Sequence, residues 1–156
     1  MLTALRFGII FVLMEFIWII GEYLVGLHTT HIRQHYLYTN LMMIPATAIM
    51  VWGLVARRDE QGGELSYTQA LGQGALIGVV VGILSIGVHY LFFTYVNPNF
   101  FVDFQRLAVL EGHMTREGAE TYFSLSTYAW QSAVFSPVAG LLTNALTGLF
   151  LKTRWR

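Results

Sequence analysis

The sequence has no cysteine and few charges. With no cysteine in 156 residues, disulfides, thiolate metal sites and a cysteine nucleophile are all excluded. Charged residues make up 12%, about half the ~25% usual in a soluble domain. The formal net charge is zero, so no basic surface is available for nucleic acid. Phosphate-binding loops, dinucleotide fingerprints, His-Glu-x-x-His and Gly-x-Ser-x-Gly elbows are absent as well. Common hydrolase and nucleotide chemistry therefore has no local signature here.

What is there is apolar. Hydrophobic residues reach 55% and the mean hydropathy is +0.56, values of a chain built for a bilayer. A bilayer core takes about 20 apolar residues per helix, and four segments qualify, at roughly 5–27, 37–56, 67–96 and 130–151. The expected fold is an all-α membrane protein, a four-transmembrane-helix bundle forming one integral membrane domain over residues 1–156. The first run is longer than a signal-peptide core of about 7–15 residues, contains acids and lacks a small-residue cleavage pattern. It is expected to remain as the first span.

That first span carries Glu15 and Glu22. Each acid near mid-membrane costs on the order of 2.5–3.5 kcal/mol on insertion scales, so each requires a partner. Seven residues apart, at about 100° per residue, they fall within roughly 20° of one another on a helix. Gly8 and Gly26 extend the same line, giving a small, acidic stripe expected to face protein. In span three, Gly74, Gly78 and Gly82 form a small-xxx-small ladder for close helix approach, with Ser85 and His89 near the same face. Span four repeats the pattern with Ser132, Ser136, Gly140, Thr143 and Thr147. Pro45 is expected to bend span two.

Between the spans, Ser66 is a suitable N-cap for span three and Thr115 for a short helix in the last loop. In that loop Phe101, Phe104, Leu107, Leu110 and Met114 recur at helical spacing. This predicts an amphipathic helical outer loop between spans three and four, lying at the membrane surface or over the bundle mouth. Of the nine Lys and Arg residues, Arg6, Arg57, Arg58, Lys152, Arg154 and Arg156 share one side, against Arg33, Arg106 and Arg116. The positive-inside rule then puts both termini in the cytoplasm.

Several short strings are distinctive: Glu22-Tyr23-Leu24-Val25-Gly26-Leu27-His28, His35, Thr39-Asn40-Leu41, Gly62-Gly63, Tyr67-Thr68-Gln69-Ala70 and Asn97-Pro98-Asn99-Phe100. They resemble a family of small bacterial membrane proteins, domain-of-unknown-function family 4199, across nearly the whole chain. The resemblance implies a four-span protein of the bacterial inner membrane and brings no catalytic residue with it.

The candidate polar site is Glu15, Glu22, Ser85 and His89. Depth counting sets Glu22 and His89 at similar distances, roughly 8–11 Å, from the outer end of the bundle, which predicts a Glu22–His89 pair. Glu15 is deeper and expected near Ser85. His28, His31 and His35 lie at i, i+3, i+7, one side of a continued helix, and imidazoles in such a group suit zinc or another divalent ion; no other cofactor is expected. His113 with Glu117 and Glu120 reads as a solvated face. Three functions follow: a non-enzymatic membrane component or accessory subunit packing through its glycine faces, alone, as a homo-oligomer or within a membrane complex; a small proton- or cation-coupled transporter using Glu15, Glu22 and His89; or an enzyme or metal site at the outer face.

Overall fold

The computed structural model describes residues 1–153; Arg154 and Arg156, counted above for orientation, lie outside them. The described residues form helices joined by short turns, without a strand. Four helical stretches are long and apolar enough to cross a membrane: Leu2–Leu24, Ile32–Glu60, Tyr67–Val96 and Leu125–Leu151. The fold is a four-span all-α membrane bundle. Its helices are α1 (Leu2–Leu24), α2 (His35–Tyr38), α3 (Met43–Glu60), α4 (Tyr67–Leu91), α5 (Phe100–Leu110), α6 (Arg116–Tyr122) and α7 (Leu125–Leu151). Round the bundle, α1 packs on α3 and α4, and α7 closes against α4 and α3.

The closest packing is α4 against α7, and the reason is steric. A Cβ at Gly74 would strike the carbonyl of Gly140, and one at Gly78 would strike the Ser136 carbonyl and Pro137. At Gly82 it would come within 3.1 Å of Ala133 Cα. The glycine face therefore lets two backbones meet where side chains would hold them apart. On the opposite flank Gly8 of α1 takes Val80 of α4 in the same way.

Helix ends follow local chemistry. Ser66 caps α4 in a capping box, accepting from Gln69 N while Gln69 Oε1 accepts from Ser66 N. Thr115 caps α6 through Gly118 N. Helix α7 begins at Leu125, several residues before the apolar run suggests, because Ser124 caps it by accepting from Thr127 N. Pro45 falls in the first turn of α3, where no helical N–H is lost. The 3-10 turn Thr39–Met42 leads into it.

One end of the bundle is tied by polar bonds: Thr3 Oγ1 donates to Glu60, and Leu65 and Thr153 exchange backbone and hydroxyl bonds. The other end is closed by aromatics. Before Pro98, α4 widens into a π-helical turn, Phe92–Val96, and α5 folds over the mouth. Its buried residues are Phe100, Phe104 and Ala108; of the expected stripe Phe104 is buried, Phe101 and Leu107 are half-buried and Leu110 is exposed. Phe100 wins the interior because it stacks between Phe93 and Phe104, each at 4.5 Å between ring centroids. Phe16, Ile19 and Tyr23 of α1 and Tyr128 of α7 complete this cluster.

Candidate functional site

Helix α1 brings both of its acids inside, with Glu15 9% and Glu22 6% exposed. Each takes a different partner. Glu15 Oε2 accepts the Ser85 hydroxyl at 2.5 Å, and Glu15 Oε1 lies 3.2 Å from His89 Nε2. Ser85 and His89 are one turn apart on α4, so one carboxylate meets both. Glu22 Oε1 accepts the Trp18 indole N–H at 2.8 Å, and Glu22 Oε2 lies 3.3 Å from His28 Nε2.

The expected Glu22–His89 pair is thus replaced by two pairs, Glu15–His89 and Glu22–His28. Depth counting assumed a helix α1 running to about Leu27. The helix ends at Leu24 instead, in a Schellman turn: Leu27 N–H bonds the Glu22 carbonyl at 2.9 Å and Gly26 N–H the Tyr23 carbonyl at 3.0 Å. Gly26 has φ +80°, the left-handed conformation this turn demands. The turn sends the chain back over the helix end and delivers His28, fully buried, onto Glu22. Gly26 is therefore a helix stop and not part of the packing stripe.

The same turn separates the histidines. His31 is exposed, while His28 and His35 face each other with ring centroids 5.1 Å apart. Glu22, His28 and His35 each bring a ligand-type atom within 4.8 Å of the others, so the carboxylate stands where His31 was expected. Aromatic edges enclose this trio, Phe100 at 4.8 Å from His28 and Phe104 at 4.9 Å from His35. Asn97, set by the π-helical turn, puts its amide nitrogen 3.5 Å from His28 Nδ1.

Both pairs open onto one cavity of about 460 Å³. Glu15, Glu22, His28, His35 and His89 line it, with Thr39, Ser132, Ser136 and Thr143 as further polar groups. Most of the remaining wall is apolar, including Phe11, Trp18 and Met50. Met43 and Thr47 of α3 and Phe135 and Ala139 of α7 belong to the wall and are also exposed, so the cavity opens along the α3–α7 seam. Along α1 the two carboxylates are about 10 Å apart, seven residues at about 1.5 Å each.

The energies of these bonds can be set beside the cost of burying an acid. Interhelical hydrogen bonds in membranes average about 0.6 kcal/mol and reach about 1.7. Two of them offset less than, or at most about as much as, the roughly 2.5–3.5 kcal/mol cost of one acid.

Sequence reasoning missed two further polar groups, Asn144 and Gln73. Asn144 is fully buried and donates to the Ala70 carbonyl at 3.2 Å, and Gln73 is 4% exposed. The signal for Asn144 was positional, a lone amide between Gly140 and Gly148 on one helix face; Gln73 follows Gln69 by one turn on α4. His113, Glu117 and Glu120 lie at the surface.

A family model described as "Protein of unknown function (DUF4199)" matches residues 6–153. No curated protein matches the chain, and no solved structure does.

Proposed function

The chain belongs to the DUF4199 family, and we propose that it is a small proton- or cation-coupled transporter working through Glu15, Glu22 and His89. One observation carries this reading: Glu15 and His89, paired within the bundle and with Ser85 bonded to Glu15 behind them, form part of the wall of an open cavity. Oε1 of Glu15 and Nε2 of His89 are 3.2 Å apart, close enough for a proton to pass directly between them. Glu22 lies about 10 Å further along the same helix and offers a second station toward the end that α5 covers. A cation arriving in the cavity meets the carboxylate oxygens of Glu15 and Glu22.

The setting proposed is the bacterial inner membrane, with both termini cytoplasmic and the α5–α6 cover facing outward. Arg6, Arg57, Arg58 and Lys152 at the terminal end support that orientation. The experiment is proton flux into proteoliposomes under an imposed membrane potential. Flux above that of protein-free vesicles supports the reading, and equal flux contradicts it.

A structural role is the second reading, favoured by the way Glu15 bonds α1 to α4. The chain would then be a non-enzymatic membrane component or accessory subunit, by itself, as a homo-oligomer or in a larger complex.

A further inference from the structure

We propose that Glu22, His28 and His35 bind one divalent transition-metal ion of the zinc class. The site lies at the end of the cavity that α5 covers and does not depend on proton transfer by Glu15.

The donor set is the first argument. Two imidazoles and one carboxylate suit zinc, which is held tetrahedrally at about 2.0–2.2 Å by such ligands. Tetrahedral ligands at that distance stand about 3.3 Å from one another. Glu22 Oε2 and His28 Nε2 already stand at 3.3 Å, and the trio as a whole lies within 4.8 Å. Drawing in His35 by a small ring movement completes three ligands.

The surroundings are the second argument. Ligands of a metal are usually held from behind by hydrogen bonds. Trp18 Nε1 donates to the Glu22 oxygen that faces away from His28, and Asn97 stands behind His28 at the other ring nitrogen. With Nε2 on the metal, His28 Nδ1 carries the proton, and the Asn97 amide turns its oxygen to accept it. Phe100 and Phe104 wall the two rings, which excludes water from that side.

The third argument is His35 itself. The Glu22–His28 bond needs no third member, yet His35 is packed edge-on to His28 with its Nδ1 buried and without a hydrogen-bond partner. A ring serving only as packing pays a desolvation cost there that a phenyl ring avoids. As a metal ligand its position has a reason. Three protein ligands leave the fourth place for water or a solute, and the cavity borders all three residues.

The test uses the full chain in detergent with any affinity tag removed, probed with Co²⁺ for its visible spectrum and with Zn²⁺ in competition. The expected result is one ion per chain with the intense absorption of tetrahedral cobalt, displaced by zinc. His35→Ala should weaken binding by about 100-fold or more, beyond the loss typical of outer-shell changes, while His31→Ala and Glu15→Gln bind as the wild type does. His28 is fully buried, so Glu22→Gln serves as the second ligand variant, with its fold checked by circular dichroism. Absence of the tetrahedral spectrum in the wild type would overturn the site. So would equal losses in His31→Ala and His35→Ala, which would indicate surface histidine binding. Normal metal binding in a Glu15→Gln variant that has lost flux separates this site from the transport reading.

Discussion

Glu15 on α1 and His89 on α4 face each other at 3.2 Å, with the Ser85 hydroxyl on the other carboxylate oxygen at 2.5 Å. Two neighbouring spans are thereby joined through a carboxylate and an imidazole that both line the cavity.

Ser85→Ala removes one of the two bonds that hold Glu15. The expected loss of stability is about 0.6–1.7 kcal/mol, the range for interhelical bonds within membranes. Unfolding in mixed micelles, wild type against variant, measures it.

Gly78 stands against the Ser136 carbonyl and Pro137, and a Cβ there has nowhere to go. Gly78→Leu should destabilise the bundle by roughly 1–3 kcal/mol or more through overpacking. Gly72 and Gly87 have open space around them, so Gly72→Ala or Gly87→Ala should leave the melting temperature within error. Equal effects at the three positions would contradict the packing account.

Gly26→Ala forces a Cβ into left-handed backbone and against Thr30 Oγ1. The strain amounts to about 1–2 kcal/mol, and the displaced turn carries His28 away from Glu22. The variant should melt lower and bind Co²⁺ more weakly than the wild type. A variant that melts lower but keeps full metal affinity would detach the turn from the trio.

How much of this could be read in the sequence depends on the distance over which each feature is decided. Span positions and the Gly74–Gly78–Gly82 face are matters of composition and helical period, both local. Caps at Ser66 and Thr115 are local too. Partner choice was not. Glu22 and His89 looked level because α1 was drawn about one turn too long, and Gly26 was counted as a packing residue. A single left-handed glycine reversed the chain and exchanged His89 for His28. The histidine spacing misled for the same reason, since i, i+3, i+7 describes one face only while the helix continues. On α5 the expected Phe104 is buried, but Phe100 joins it in place of Phe101 because Phe100 packs on Phe93, a contact across elements.

Orientation can be tested with single cysteines, since the chain has none of its own. Thr29→Cys and Glu117→Cys should react with an impermeant thiol reagent on intact cells, and Asp59→Cys and Thr153→Cys only after lysis. The reverse pattern would invert the bundle.

The central claim is that Glu15 exchanges protons or cations through the cavity, and Glu15→Gln tests it most directly. Glutamine keeps the shape and can still hydrogen-bond Ser85, so the fold should survive, as circular dichroism and monodisperse elution would report. Proteoliposomes of both proteins, loaded with a pH-sensitive dye, are given the same membrane potential. The account predicts proton entry with the wild type and entry at the level of empty vesicles with Glu15→Gln. Equal flux from the two proteins, or none from the folded wild type, would contradict it.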